Sequence, residues 1–409
     1  MLAILSAPGS RGDVNPMIAI GSRLRQAGLD VVISIAEPYA ELAEAADLKV
    51  EIAFSKARFD EALRDPLFWK PVRGARKVAS LLVGEFLQPH FDLIRRSHRP
   101  GETILVAHPL DLSSRIFRDL DTATPMVSVH LAPTILRIPH SPPRVTPWWW
   151  EPRRPAWLVS AAYWLADRLG LDPVIAGHVN RLRAEHGLPR VKRIFHRWWL
   201  SPDRIIAMYP KWFAPATEAL APTLLHAGFP LEDLSETQID ASITDRPLVF
   251  TAGTANHHCK EFFQHAADVC LQLNHPGLLL STHAENFPVS LPAQIQCRHY
   301  VSLRSLLPNA AAIVHHGGIG TTSQALAAAT PQIVRPMAFD QFDNATRVQQ
   351  LGCGVWLRRD SGLNSALSAC LNGKFNQACQ TTALKIDPTP AAKVAADEIQ
   401  KLLAESRIK

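Results

Sequence analysis

Cysteine is scarce in this chain of 409 residues and is confined to its second half. Six cysteines occur, the first of them is Cys259, and no two form a C-x-x-C pair. Neither a disulfide framework nor a paired-cysteine redox or zinc motif is therefore expected. We expect free thiols that are mostly buried.

Long apolar runs are also missing. The most apolar later stretch, residues 156–171, contains Asp167 and Arg168 and is shorter than the roughly 20 residues that span a bilayer. No basic leader with a small-residue cleavage site precedes the first apolar run, so the sequence suggests no signal peptide. We therefore expect a cytoplasmic protein without a transmembrane helix.

No basic run with interleaved aromatic residues occurs. The chain has 43 basic and 37 acidic residues, a formal net charge of +6 and a pI near 9.1. This excess favours anionic partners, but the scattered arginines and the lack of zinc-finger spacing argue against nucleic acid. A nucleotide diphosphate is an anionic partner that would suit this positive charge.

What is present indicates two packed domains. The hydrophobic fraction of 47% is ordinary for a globular protein, and the length exceeds the roughly 250–300 residues that one core supports. An acidic, polar stretch at residues 230–245 lies between two apolar runs, and we interpret it as a linker. The predicted parts are residues 1–229, a linker at 230–245, a second domain at 246–387 and a terminal helix within 388–409.

The second domain contains the most informative stretch, residues 313–344. Apolar runs at 311–314 and 332–334 flank a glycine-rich turn and an alanine-rich segment, which predicts a strand, a loop, a helix at Gln324–Ala329 and a strand. In such a unit the helix N-terminus faces the carboxyl end of the first strand, where an anion binds well. A plain glycine-rich turn of an α/β domain is the alternative.

Residue types in this stretch suit a phosphate and a sugar. Glycines let the backbone approach a ligand closely, and the hydroxyls of Thr321, Thr322 and Ser323 are expected as donors at the helix start. Asp340 and Gln341 are expected at the end of the next strand, where a carboxylate and an amide suit vicinal hydroxyls.

The N-terminal stretch predicts a second unit of the same kind. Residues 2–7 form a buried strand, a turn follows, a helix is expected from Pro16 to Ala27, and residues 31–35 form the next strand. Asp13 lies in the turn. Spacing alone would make it a turn or capping residue.

Two strings in these stretches resemble the family 1 glycosyltransferases, whose bacterial members carry H-H-G-x-x-G-T followed by D-Q, and G-S-R-G-D-V-x-P after the first strand. Here they read His315-His316-Gly317-Gly318-Ile319-Gly320-Thr321 with Asp340-Gln341, and Ser10 to Pro16. Residues 65–69, 194–199 and 209–215 resemble, more loosely, segments of the rhamnosyltransferases of rhamnolipid synthesis. The resemblance implies an α/β chain of the GT-B fold, with two doubly wound Rossmann-like domains that face a central cleft and a terminal helix that returns to the first domain.

The resemblance also implies roles for residues. Asp13 would act as the general base on the acceptor hydroxyl, and His315 would donate to the departing diphosphate. No metal ion and no cofactor are then required. The implied donor-binding residues are Thr254, Tyr300, Val301, His315, Gly317, Gly318, Gly320, Thr321, Asp340 and Gln341.

The acceptor side is less clearly marked. His108 and His130 follow predicted strands at 104–107 and 126–129, so we expect them to line the acceptor site. Residues 131–157 are rich in proline and tryptophan and predict an irregular loop. Trp148, Trp149 and Trp150 would contact an apolar acceptor or an anionic membrane surface, or pack beneath the loop.

The resemblance thus implies an inverting hexosyltransferase that uses a UDP- or dTDP-sugar and an apolar acceptor such as a lipid, sterol or aglycone. The alternative is a non-catalytic auxiliary subunit that binds nucleotide sugars. A GT-B epimerase or retaining transferase is a further alternative, but such enzymes hold phosphate with Arg and Lys in place of the H-H-G string.

Overall fold

The computed structural model describes residues 1–148, 150–215, 220–232, 243, 246–254 and 256–407. The chain divides into two compact units, Met1–Glu232 with Thr389–Lys409, and Asp233–Pro388. Trp149 and most of the predicted linker at 230–245 lie outside the described residues.

Each unit contains one sheet of parallel strands. The seven-stranded sheet of the first unit has the order β3-β2-β1-β4-β5-β6-β7, and the six-stranded sheet of the second has the order β10-β9-β8-β11-β12-β13. The strands are β1 Leu2–Ala7, β2 Asp30–Ala36, β3 Lys49–Phe54, β4 Thr103–Ala107, β5 Met126–His130, β6 Arg204–Ala207, β7 Leu224–His226, β8 Leu248–Thr251, β9 Gly277–Leu280, β10 Ile295–Arg298, β11 Ala312–His315, β12 Gln332–Val334 and β13 Gly354–Trp356.

Helices connect the strands. In the described residues they are α1 Arg11–Gln26, α2 Ala40–Glu44, α3 Lys56–Arg64, α4 Arg73–Leu81, α5 Leu87–Ser97, α6 Leu112–Leu120, α7 Ala156–Ala166, α8 Asp172–Glu185, α9 Lys260–Gln272, α10 Leu303–Leu306, α11 Ile319–Ala327, α12 Gln341–Gln350, α13 Leu363–Leu371, α14 Asn376–Ala383 and α15 Ala391–Ser406. None of them is long and apolar enough to cross a membrane.

Burial explains the apolar runs of the central strands. Every residue of β1, β4 and β5 is buried, as are all four of β11. Parallel strands covered by helices on both faces carry unbroken apolar sequence, because neither face meets water. The apolar runs in the sequence therefore predict the positions of these strands well.

The strand orders fix one switch point in each sheet. In the first unit β1 pairs with β2 on one side and β4 on the other. In the second unit β8 pairs with β9 and β11 in the same way. At each switch point the connections from the two neighbouring strands run in opposite directions. The loops at the carboxyl ends of these strands therefore separate, and the crevice between them is where ligands bind in such folds. The crevices lie after β1 and β4, and after β8 and β11.

Helix α1 begins at Arg11, earlier than the predicted Pro16. The backbone N–H and the hydroxyl of Ser10 both donate to Asp13 Oδ2, at 2.8 and 3.2 Å, which satisfies the helix start. Gly9 makes this possible, because a Cβ at that position would lie 2.2 Å from Asp13 Oδ2. Capping chemistry upstream of Pro16 thus sets the boundary.

Helix α11 also begins earlier than predicted, at Ile319 instead of Gln324. Thr322 Oγ1 donates to the Gly318 carbonyl and Ser323 Oγ donates to the Gly320 carbonyl. Both side chains are fully buried. The expectation that these two hydroxyls serve as ligand donors at the helix start is therefore wrong.

Helix α15 belongs to the first unit and packs against α1. Its Glu398 pairs with Arg204 at 2.7 Å, and its Ala392 N–H donates to Glu232 Oε1 at 3.1 Å. Its face toward the unit consists of small and aliphatic residues, among them Ala395, Ile399 and Leu403, which are buried. The helix begins at Ala391, slightly after the predicted start.

Candidate active site

The crevice of the first unit brings together two ionisable side chains from separate loops. Asp13 follows β1 and His108 follows β4, and His108 Nε2 lies 3.3 Å from Asp13 Oδ1. The two residues are 95 positions apart in the sequence, yet β1 and β4 are neighbours in the sheet. The switch point therefore creates a carboxylate–imidazole pair.

The tautomer of His108 follows from its surroundings. The Leu110 N–H donates to His108 Nδ1 at 3.2 Å, so Nδ1 carries the lone pair. Nε2 then carries the proton and donates it to Asp13. His108 is buried, so this orientation is held by packing as well as by hydrogen bonds.

Asp13 keeps contact with solvent, with 34% of its side chain exposed. Burial by itself would raise the pKa of Asp13, but the His108 ring and the Ser10 donors outweigh it and hold that pKa below its usual value. Asp13 is consequently an ionised carboxylate at neutral pH with an accessible edge.

A buried polar network lies beneath this pair. Ser6 Oγ donates to Asp111 Oδ2 at 2.8 Å and accepts from the His108 N–H at 3.1 Å. Asp111 also lies 3.1 Å from His90. Although burial opposes it, the neighbouring His90 and Ser114 lower the pKa of Asp111 to about 2. The loop that carries His108 is thus anchored to β1 through the hydrogen bonds of Ser6.

The crevice of the second unit is lined by glycine. Gly317 has a φ of +95°, and a Cβ there would lie 2.6 Å from Val334 Cγ1. Gly318 is the N-cap residue of α11. Because α11 begins at this turn, its first N–H groups point at the crevice and favour an anion.

His316 packs against the glycines of both loops. A Cβ on Gly253 would lie 2.7 Å from His316 Cε1, and one on Gly318 would lie 2.6 Å from its Nε2. Burial lowers the pKa of His316 to about 4, so the ring is neutral at pH 7. Its Nδ1 has no hydrogen-bond partner among the described residues.

His315 lies deeper, and both its nitrogens are engaged. Nε2 lies 2.9 Å from Gln332 Oε1, and the Gly317 N–H donates to Nδ1 at 3.1 Å. Burial lowers the pKa of His315 to about 3. Both nitrogens of the neutral ring have partners within the protein, so the ring has no free N–H to donate to a phosphate. His315 instead holds the turn at Gly317.

Known proteins resemble this chain in sequence and in fold. Residues 278–405 match the family described as "Erythromycin biosynthesis protein CIII-like, C-terminal domain". The vancomycin aglycone glucosyltransferase of Amycolatopsis orientalis is 27% identical over 376 residues, which cover 87% of this chain and 85% of that protein. These matches support a bacterial family 1 glycosyltransferase.

A further protein is similar to this chain in sequence, and a solved structure is similar to it in fold. The uncharacterized UDP-glucosyltransferase YojK of Bacillus subtilis (strain 168) is 25% identical over 222 residues, 51% of this chain and 54% of YojK. The spinosyn rhamnosyltransferase SpnG, solved with thymidine diphosphate, has a TM-score of 0.67 at 18% identity, over 97% of this chain and 99% of SpnG. The fold of this glycosyltransferase is GT-B, and its named relatives favour a catalyst over an auxiliary subunit.

Asp340 and Gln341 of this glycosyltransferase do not end a strand as predicted. Strand β12 ends at Val334, and the pair lies at the start of α12. Gln341 is buried, and its Oε1 accepts from the N–H groups of Met337 and Ala338 at 2.8 and 3.0 Å. Its carbonyl oxygen therefore shapes its own loop, and only the amide nitrogen is left for a ligand.

Asn344 connects this loop to the glycine turn. Its Nδ2 donates to the Gly317 carbonyl and to Asp340 Oδ2, both at 2.8 Å. Asp340 is half-buried and Asn344 is fully buried. The first turn of α12 and the turn before α11 are consequently one hydrogen-bonded assembly.

The other predicted donor residues lie on loops at the same edge of the sheet. Thr254 follows β8, and its carbonyl accepts from Thr282 Oγ1 at 3.0 Å. Tyr300 and Val301 follow β10, Tyr300 half-buried and Val301 buried. Thr321 lies in the first turn of α11 with a half-buried side chain. A Cβ on Gly320 would meet no atom within 4 Å, so the helix start is open on that side.

The predicted acceptor-lining residues differ from one another in burial and in their contacts. His130 is completely buried against Trp199, with a ring separation of 5.4 Å, so the expectation that it lines the acceptor site is wrong. His108 is bound to Asp13. Trp148 and Trp150 stack at 5.0 Å and remain exposed, Trp150 by 58%. Trp149 lies outside the described residues.

Sequence reasoning missed two features. It gave a role to His315 and none to His316, although two glycines 65 positions apart both leave room for the His316 ring. It also did not note that His257, His283 and Glu285 converge from two loops. The adjacent pair His257-His258 was the available signal for that cluster.

Proposed function

We propose that this glycosyltransferase transfers a hexose, with inversion at the anomeric carbon, from a UDP- or dTDP-sugar to a hydroxyl of an apolar acceptor. The observation that carries the proposal is the Asp13–His108 pair at the switch point of the first unit. An ionised, accessible carboxylate held by a fixed imidazole suits removal of a hydroxyl proton.

In the proposed reaction the acceptor oxygen forms a bond to the anomeric carbon as the bond from that carbon to the diphosphate breaks. Asp13 takes the hydroxyl proton. His108 retains its own Nε2 proton, because its Nδ1 is occupied by the Leu110 N–H and offers no second site without breaking that bond. His108 is therefore a positioning residue, and Asp13 is the proton acceptor.

The donor is proposed to bind in the second unit. The N–H groups at the start of α11 would hold the diphosphate, with His316 beside them and Thr321 as a hydroxyl donor. Negative charge grows on the departing diphosphate, so these donors stabilise the transition state more than the ground state. Asp340 and the amide nitrogen of Gln341 would hold sugar hydroxyls, while Thr254, Tyr300 and Val301 flank the nucleotide.

The identity of the base is an open choice between two nucleotides. YojK is named as a UDP-glucosyltransferase, and SpnG was solved with thymidine diphosphate. Either pyrimidine diphosphate would present the same anion to α11.

An apolar acceptor is supported by exposed aromatic side chains on the first unit. Trp148, Trp150, Trp157 and Trp164 are all exposed, and so is Leu165 beside Trp164. Such a group of large apolar side chains suits a hydrophobic ligand or a lipid surface. Arg168 lies over the Trp164 ring at 5.7 Å and adds a positive charge for an anionic surface. We propose a cytoplasmic enzyme that contacts the membrane peripherally.

The test is a panel experiment on the purified chain. Thermal unfolding is measured with UDP, dTDP, ADP and GDP, and mass spectrometry then follows products formed from UDP- and dTDP-sugars with lipid, sterol and aglycone acceptors. We expect stabilisation by a pyrimidine diphosphate and an added hexose mass on an apolar acceptor. Stabilisation by no nucleotide, together with no product, would contradict the proposal.

A further inference from the structure

Two histidines and a glutamate converge on the second unit, beside Thr254. His257 comes from the loop after β8, and His283 and Glu285 come from the loop after β9. One nitrogen or oxygen atom from each lies within 4.8 Å of the others. We propose that these three side chains form a Zn²⁺ site.

The imidazole geometry supports a metal ligand. His283 Nε2 lies 3.2 Å from the Thr254 carbonyl oxygen, so Nε2 carries the proton and Nδ1 carries the lone pair. Histidines that bind metals commonly donate their other N–H to a carbonyl or carboxylate in this way. The lone pair of His283 therefore faces the cluster.

His257 completes the pair of imidazoles. Its Nδ1 lies 3.3 Å from Glu285 Oε1, and the His283 Nδ1 lies 4.0 Å from the same oxygen. The two rings are 3.6 Å apart between centroids, so both imidazoles lie at the same place on the surface. His257 Nε2 is buried without a hydrogen-bond partner among the described residues. A divalent cation at this place would be bound by the Glu285 carboxylate and by one nitrogen of each ring.

Buried amides hold the two loops in place. Asn286 Nδ2 donates to the Asn256 carbonyl at 2.9 Å, and Asn286 Oδ1 accepts from the Cys259 N–H at 3.0 Å. The side chain of Asn256 accepts in turn from the His258 N–H at 2.9 Å. These bonds fix the backbone next to His257 and Glu285, so the two loops that carry the site are held in place before any metal binds.

Ligand type and spacing favour zinc. Two imidazoles and one carboxylate form a set typical of Zn²⁺ sites that keep a fourth position open. Tetrahedral Zn²⁺ with bonds of about 2.1 Å places its ligand atoms about 3.4 Å apart, so the cluster must contract slightly. Glu285 is 63% exposed and can rotate, while the histidines are held. The bound ion would cross-link the two loops beside Thr254.

The test uses tag-free, full-length protein stripped with EDTA and titrated with Zn²⁺ against a chromogenic chelator at pH 7.5. We expect one tight equivalent in the wild type. His257→Ala and His283→Ala should each weaken it at least about tenfold. His258→Ala is the matched control, because His258 is an adjacent exposed histidine outside the cluster, and should bind as the wild type does.

Thermal unfolding supplies a second readout. Zn²⁺ should raise the melting temperature of the wild type and of His258→Ala but leave that of His283→Ala unchanged. Should His283→Ala fail to fold, Glu285→Gln decides, since that side chain is exposed and its loss of charge should weaken binding in a folded protein. Unchanged affinity in the cluster variants, equal loss in His258→Ala, or no tight wild-type binding would overturn the proposal. Nucleotide binding in EDTA is measured separately, so this failure would not touch the proposed transfer reaction.

Discussion

At the scale of single residues, the two carboxylate oxygens of Asp13 have different partners. Its Oδ2 caps α1 through Ser10, and its Oδ1 faces His108. The capping interpretation and the catalytic interpretation of this aspartate are therefore compatible. The helix cap fixes the carboxylate where a neighbouring strand can deliver an imidazole to it, which ties local helix chemistry to the proposed proton transfer.

His108 is predicted to tune that carboxylate. His108→Phe removes the Nε2 donor that lowers the pKa of Asp13, so the acid limb of the kcat profile should move to higher pH, with kcat falling about tenfold or more at neutral pH. His108→Gln keeps a donor and should lie between the wild type and His108→Phe. The measurement is kcat against pH for the three proteins. A lower kcat with an unmoved acid limb would mean that His108 only supports packing.

At the scale of elements, the turn between β11 and α11 depends on glycine. Gly317→Ala must adopt a positive φ and places a methyl group against Val334 and the Gln341 backbone. We expect a loss of about 1–3 kcal/mol in the free energy of unfolding and at least tenfold weaker binding of the nucleoside diphosphate. Denaturant unfolding and calorimetry measure the two effects.

Gly177→Ala in α8 is the matched control, because a Cβ there meets no atom within 4 Å. It should leave nucleotide binding unchanged and preserve or raise stability. If Gly317→Ala binds the diphosphate as tightly as Gly177→Ala does, the anion does not bind at this turn.

The aromatic loop and α7 form the second element with a testable role. Trp148→Ser with Trp150→Ser and Trp157→Ser should weaken co-sedimentation with anionic vesicles and raise the acceptor Michaelis constant several-fold, because exposed aromatic surface is lost. Val289→Ser with Leu384→Ser replaces apolar side chains of the second unit that are at least as exposed, and should change neither quantity. Equal behaviour of the two variants would show that the tryptophans have no special contact.

Strand placement could be derived from the sequence, because strands buried on both faces leave unbroken apolar runs. Residues 2–7 and 332–334 match Leu2–Ala7 and Gln332–Val334. Helix starts were placed too late, since Ser10 and Gly318 act as caps upstream of the periodic pattern. The motif located the turn that we propose binds phosphate, but it did not indicate the direction of the two histidine side chains. His315 turns inward because Gln332 accepts from it, a contact between residues 17 apart that no local pattern reveals.

At the scale of the whole molecule, buried neutral histidines make stability depend on pH. Burial lowers the pKa of His130 and of His315 to about 3, and that of His316 to about 4. In the unfolded chain these rings return to the ordinary value near 6.5 and bind protons first. Their contribution to stability is therefore complete above about pH 6.5 and is lost as pH falls toward the folded values.

We expect the free energy of unfolding to fall by about 1 kcal/mol per buried histidine between pH 7.5 and 5.5. His130→Phe should remove one such contribution and flatten the curve, whereas His258→Phe, at an exposed position, should leave the slope unchanged. Urea unfolding at several pH values gives the slopes. Equal slopes for the wild type and His130→Phe would show that His130 is not held neutral by burial.

The central claim is that Asp13 takes the acceptor proton during sugar transfer, and the direct measurement is acceptor-dependent release of nucleoside diphosphate by Asp13→Asn. Asparagine keeps the size of the side chain and an oxygen for Ser10, but it has no basic carboxylate. The account predicts a fall in kcat of about 100-fold or more, with donor affinity unchanged because the donor binds to the second unit. A variant that retains wild-type kcat while folded and bound to donor would contradict it.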